Sequence, residues 1–217
     1  MPHITQKSKY WLLLLTLVGF ILISPLTLDT WFGRSASALL FLFVVFEVTS
    51  NIKSAGHSRW IIPTFGTVAV VCNFAGESSF TFTLIGKLAG IVFFSNSIFL
   101  FGKNVFADYH LNIDRIYGSI CVYLLIGMAY AYLYMVLQLF IPLSLSYQGT
   151  GIPLTNTLDY YYFSYMTLTT VGFGDIIPTN DFSKAIIMIE SITGLFYLAV
   201  LVASLTNVLK TLGLKRK

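Results

Sequence analysis

The chain has 217 residues, of which 56% are hydrophobic and only 10% charged, and its mean hydropathy is +0.79. A soluble domain carries about a quarter charged residues, so this composition excludes an ordinary soluble globule and points to an integral membrane protein. The net charge of +4 matters less than where the charges sit. Two cysteines, Cys72 and Cys121, both lie in apolar stretches and read as small buried hydrophobes rather than a disulfide or a metal pair.

A helix needs about 20 mainly apolar residues to cross roughly 30 Å of hydrocarbon. In chain order the candidates are Tyr10–Leu28, Ala36–Asn51, Trp60–Ala75, Phe80–Phe101, Ile113–Ile141 and Phe182–Leu212. The second and third are short and fit a thinned bilayer or little tilt. Lys7 and Lys9 precede the first as in a signal peptide, but no small-residue cleavage site follows it, so a retained anchor is expected. With six spans and the N-terminus inside, Lys7, Lys9, Lys53, Arg59, Lys103, Arg115, Lys210, Lys215, Arg216 and Lys217 fall on the inner side. Arg34 and Lys184 fall outside, and Lys87 lies within the fourth span. That asymmetry predicts a multi-pass protein of the cell membrane with both termini cytoplasmic.

Residues 142–181 are neither charged like a common loop nor apolar enough to span. Pro142 ends the fifth helix, and Gly149, Gly151 and Pro153 mark an irregular turret over 142–156. Asn156 is placed to cap a short helix over Thr157–Leu168, with Asp159 in its first turn. From Thr169 the pattern breaks into Thr-Thr-Val-Gly-Phe-Gly-Asp, and Ile176, Ile177 and Pro178 lead back to the sixth span. A short helix with an extended return reads as a re-entrant loop, and non-helical backbone at that depth survives only when buried in protein or lining a cavity. The fold class expected is therefore all-α: six transmembrane helices plus a re-entrant pore helix and an extended filter.

The residue types suit ion passage. An ion leaving water needs its hydration shell replaced by oxygens, which the carbonyls of Thr170, Val171, Gly172 and Phe173 can supply, with the Thr170 hydroxyl as a lower ring. Gly172 and Gly174 supply positive φ at little cost, letting the carbonyls point one way. One strand cannot encircle an ion, so one copy per chain implies four chains about an axis.

The segment Thr167–Asp175, with its aromatic approach and its return through Pro178, resembles the pore signature of potassium channels, and is similar to the prokaryotic-type two-helix pore family within that superfamily. The sharp resemblance covers Asp159–Val208. It implies an outer helix over 113–141, a pore helix over 157–168, a filter over 169–175 and an inner helix over 182–212. It places potassium sites at Thr170, Val171, Gly172 and Phe173, closed by Gly174. Thr169, Asp175, Tyr162, Phe163 and Met166 would support the filter, and Gly194, 19 residues after Asp175, falls where relatives place a hinge. Phe173 stands where tyrosine is more familiar, and Met166 where some relatives keep a carboxylate. A filter held more by packing than by hydrogen bonds is the expectation.

Six spans with the pore last resemble the voltage-gated layout, and a sensor would need a cation at every third position of the fourth span. That span offers Lys87 in its interior and Lys103 at its end. One charge crossing 100 mV is worth about 2.3 kcal/mol, so four copies of Lys87 would supply roughly 9 kcal/mol at most, too little for steep gating. Lys87 reads more simply as snorkelling or pairing with Glu47 or a polar neighbour. Residues 1–102 are expected to form a degenerate sensor-like bundle, and 103–112 a linker helix carrying His110, a solvated histidine or a pH-sensing one.

In the inner helix, Glu190 is an ionisable group at a depth where it costs about 2.5–3.5 kcal/mol unless paired. It reads either as a filter-tuning residue or as a buried structural acid, with Tyr165 or Thr167 as expected partners. Gly194 reads as a hinge or as a point of close helix approach. Thr206 and Asn207 are candidates for an inner constriction. The basic tail Lys215-Arg216-Lys217 suits anionic lipid headgroups, and with so few residues after Leu212 no cytosolic ligand-binding domain is expected. The function implied is passive potassium conduction through a homotetramer, with potassium as permeant ion, no cofactor and no nucleic-acid partner. The alternatives are a weakly selective or non-conducting channel-like subunit, and less readily a coupled transporter, for which repeats are missing. No nucleophile–base pair or phosphate loop suggests an enzyme.

Overall fold

The structure, a computed structural model, describes residues 10–23, 31–51, 58–75, 79–107 and 113–214. The described residues form seven helices and two short strands: α1 (Trp11–Ile23), α2 (Trp31–Asn51), α3 (Ser58–Ala75), α4 (Phe80–Ala107), α5 (Ile113–Phe140), β1 (Leu145–Tyr147), α6 (Thr157–Leu168), β2 (Ile176–Pro178) and α7 (Asp181–Leu214). Three stretches are long and apolar enough to cross a membrane: Phe80–Lys103, Asp114–Phe140 and Asp181–Ala203. Trp11–Ile23, Ala38–Ser50 and Ile62–Asn73 are shorter apolar stretches. Among the described residues, three of the six expected spans meet the length requirement.

The first helices pack in sequence, α1 on α2, α2 on α3, α3 on α4 and α4 on α5, and α1 returns to α5, so that α5 closes the ring. Aromatic rings fill its centre. Phe41 of α2 lies 6.1 Å from Phe20, 5.7 Å from Phe93, 5.6 Å from Phe94 and 6.4 Å from Tyr132, centroid to centroid. Such edge and tilted pairs each add about 0.5–1.5 kcal/mol beyond the area they bury. Phe20 also meets the ring of Tyr161 in α6 at 5.7 Å, which joins the first helix directly to the hairpin. Lys87 lies with its ammonium 5.5 Å from the centroid of the Tyr132 ring, a cation–π contact. Residues 103–107, expected in a linker, are the last turns of α4; 108–112, with His110, lie outside the described residues, as do His3, His57 and the basic tail.

The hairpin between α5 and α7 contains a feature the sequence did not suggest. β1 and β2 pair antiparallel, with Leu145 opposite Pro178, Ser146 opposite Ile177 and Tyr147 opposite Ile176. This ribbon fastens the entry of the hairpin to its exit. Three-residue strands lack the length for alternation to show. Tyr147 donates its hydroxyl proton to Asp159 in the first turn of α6, which ties the ribbon to the pore helix.

α7 differs from the other long helices. Only 11% of its apolar window is buried within one chain, against 56% for α5. Ile189, Ile192, Leu195, Phe196 and Val202 are all more than half exposed.

Two measurements test this packing. A Cβ at Gly127 of α5 would fall 2.3 Å from the ring of Tyr165, whose hydroxyl is anchored on the Leu124 carbonyl at 2.8 Å. Gly127→Ala is expected to destabilise the purified protein by about 1–3 kcal/mol, whereas Gly19→Ala, where a Cβ meets nothing within 4 Å, should be neutral or gain up to about 1 kcal/mol; thermal unfolding in detergent decides. The Asp159 bond pushes the Tyr147 hydroxyl up from 10.0 to about 12. Because the folded value lies above the unfolded one, its contribution is complete below pH 10 and lost as pH rises towards 12. Tyr147→Phe should therefore cost about 1 kcal/mol at neutral pH, with the difference from wild type closing through that alkaline window.

Candidate functional site

α6 begins where the sequence places it. The Asn156 side chain accepts from the Leu158 N–H at 2.9 Å, and Asp159 occupies the first turn, satisfying an orphan donor and complementing the positive end of the helix. The other end is tied off by the segment that follows. The Thr169 N–H reaches the Tyr165 carbonyl at 3.0 Å and the Thr170 N–H the Thr167 carbonyl at 2.9 Å. Met166 offers its carbonyl to both Val171 and Gly172, at 2.9 and 3.2 Å. The carbonyls freed at the helix end are thus spent on the start of the filter, holding it against the helix.

Along the filter φ is positive at every second residue: +59° at Thr170, +51° at Gly172 and +79° at Gly174. In an extended chain successive carbonyls point to opposite sides; alternating the hand of the backbone turns them to one side. Gly172 and Gly174 do this freely. Thr170 does not, since a β-branched residue at positive φ is a strained exception, costing about 1–2 kcal/mol. Sequence reasoning assigned this conformation only to the glycines, because nothing in a threonine announces it. Thr170, Val171, Gly172 and Phe173 are exposed in the single chain, Val171 by 53% and Phe173 by 70%.

Asp175 is held on both oxygens: Tyr162 donates its hydroxyl to Oδ2 at 2.8 Å, and the Ile176 N–H donates to Oδ1 at 3.1 Å. Its own carbonyl accepts from the Gln148 N–H at 2.8 Å. With a methionine at 166, the carboxylate finds its partner one helical turn earlier, at Tyr162. Phe163 packs edge-on against Tyr134 of α5, at 5.2 Å between centroids.

Behind α6, Glu190 is fully buried. Its Oε2 accepts from the Tyr134 hydroxyl and its Oε1 from the Ser164 hydroxyl, both at 2.5 Å. The expected partners were Tyr165 or Thr167, but Tyr165 turns to the Leu124 carbonyl, and Ser164 occupies the face towards α7. One turn further, Gly194 abuts the last turn of α6: a Cβ there would lie 2.0 Å from the Leu168 carbonyl oxygen. Close approach is what this glycine permits in the structure, and α7 runs through it as continuous helix. Sequence reasoning missed Ser164 and Tyr134. The available signal was the lone serine in a short helix crowded with rings, four residues before Leu168. Gln138 and Ser144 were missed as well: Ser144 donates to Gln138 at 2.5 Å, and its carbonyl accepts from the Ser183 hydroxyl at the start of α7 at 2.8 Å.

Comparison with known proteins now has a geometry to meet. Residues 118–211 match a family described as ion channel. Over 63 residues the chain is 41% identical to "Potassium channel K2" of Plasmodium berghei, a stretch covering 29% of this chain and 4% of that protein. It is 31% identical over 108 residues to "Potassium channel K2" of Plasmodium falciparum, covering 49% of this chain and 7% of the other. A third relative, the "Hyperpolarization-activated voltage-gated potassium channel" of Methanocaldococcus jannaschii, is 39% identical over 62 residues, 29% of this chain and 28% of that one. The chain thus spans only a small part of each relative's length. No solved structure matches it. The stretch this chain shares with the ion-channel family runs from α5 through α6 and the segment after it to α7, and parts of the chain are similar to these potassium channels.

Proposed function

We propose that four copies of this chain form a pore that conducts potassium passively and selectively. The observation that carries the reading is the alternation of positive φ at Thr170, Gly172 and Gly174, which turns a short backbone segment into a ladder of oxygens facing one way. Carbonyls of Thr170, Val171, Gly172 and Phe173 from each copy would replace the hydration shell of the ion, and Gly174 and Asp175 would close the outer end. The exposed flank of α7 and the uncovered side chains of Val171 and Phe173 supply the surfaces on which neighbouring copies would pack, in the closed ring expected of a cyclic assembly. Six spans with both termini in the cytoplasm, and a basic tail on anionic lipid, complete the arrangement.

Voltage would act weakly. Within the described part of α4 the cations are Lys87 and Lys103, and Lys87 is engaged with an aromatic ring. The gating named for the archaeal relative is not carried over, because the alignment covers 62 residues of that protein. The alternative of a weakly selective or non-conducting subunit draws on Phe173, which brings no hydroxyl to the filter wall.

Purified protein in potassium-loaded liposomes should release potassium, with barium blocking, and replacing potassium by sodium should cut the flux at least about tenfold, the ratio equivalent to about 1.4 kcal/mol. Equal sodium and potassium flux would remove the selectivity; no flux would remove the pore. Tyr162→Phe frees one oxygen of Asp175, so in low external potassium the current should decay about two- to tenfold faster than wild type. An unchanged decay would show that this bond does not hold the filter open.

A further inference from the structure

α7 touches the pore helix at two points one turn apart on both partners. Glu190 meets Ser164, and Gly194 meets Leu168, the residue immediately before the filter. The Leu168 carbonyl also accepts from the Tyr123 hydroxyl of α5 at 3.1 Å, so the end of the pore helix is gripped from both sides.

Counting protons shows what Glu190 does at this junction. Ser164 carries one hydroxyl proton, yet its oxygen lies 2.5 Å from Glu190 Oε1 and 2.7 Å from the Gly127 carbonyl. If Glu190 is ionised, Ser164 donates to it. If Glu190 is protonated, it donates to Ser164, whose own hydroxyl donates to the Gly127 carbonyl. In both states one carboxyl joins α5, α6 and α7, with Tyr134 as the α5 donor. A leucine would fill the space and make none of these bonds.

We propose that Glu190 is a positioning residue for the filter: by fixing Ser164 to the inner helix it sets how long the filter stays conducting, not how many ions pass while it does. This rests on reading Thr170–Gly174 as the ion path. A rotation or bend of α7 at this level cannot leave the base of the filter in place, because Glu190 and Gly194 move as one helical face.

The test is single-channel recording of the full chain in planar bilayers, with assembly checked by elution volume. Glu190→Gln preserves the geometry: its amide oxygen accepts from Tyr134 and its amide nitrogen donates to Ser164. Its mean open time should stay within about twofold of wild type. Glu190→Leu, and independently Ser164→Ala, should shorten the open time about tenfold at unchanged conductance, and combining the two should add little, since both cut one contact. A purely structural acid would change the yield or melting of the assembly without moving the open time. Wild-type open times in both Glu190→Leu and Ser164→Ala, or effects that multiply in the double variant, would overturn the inference while leaving the channel reading intact. Should Glu190→Leu fail to assemble, Ser164→Ala decides alone, because it keeps the Tyr134 bond. No current from the wild-type protein would overturn both.

Discussion

Non-helical backbone at membrane depth has nowhere to send its N–H and C=O groups except to protein or to a water-lined cavity. In the channel reading proposed above, the seven residues from Thr169 to Asp175 are such a backbone, and much of the surrounding structure would answer that constraint. Their N–H groups are taken up first by the end of α6, where the carbonyls of Tyr165, Met166 and Thr167 accept from Thr169 through Gly172. That arrangement leaves the filter's own oxygens uncommitted on its donor side. An alternating hand of backbone then collects such oxygens on one side, which is of use only if something cationic comes to meet them.

Shape kept at the cost of strain needs outside support. The positive φ of Thr170 costs about 1–2 kcal/mol, comparable to one or two net hydrogen bonds at about 1 kcal/mol each. The chain supplies more than that: Tyr162 and the Ile176 N–H on Asp175, the β1–β2 ribbon that closes the hairpin, and the buried carboxyl of Glu190 behind the helix. These supports come from α5, α6, α7 and the turret, so the filter is over-determined from several directions, the condition under which a strained backbone persists. The four N-terminal helices serve the same end at one remove. Their aromatic centre braces α5 through Tyr132 and the pore helix through Tyr161.

Much of this was legible in the sequence because local chemistry dictates it. Asn156 caps, Pro142 stops, and Gly172 and Gly174 permit left-handed backbone whatever surrounds them, and the short helix expected over Thr157–Leu168 has those bounds in the structure. What was not legible depends on which face of a helix meets which neighbour. Whether Glu190 finds Ser164 or Tyr165 is a question of about 100° of rotation on α6, which composition and length do not resolve. The β1–β2 ribbon was hidden by its brevity, and the Thr170 conformation is imposed by its neighbours on either side.

The central claim is that backbone oxygens of residues 170–174 from four chains surround a dehydrated potassium ion. Anomalous scattering from rubidium or thallium in crystals of the assembled protein measures this directly. The account predicts four chains about one axis, with heavy-ion density on that axis level with Thr170 to Gly174. Density elsewhere, a different number of chains, or this segment turned towards lipid would contradict it.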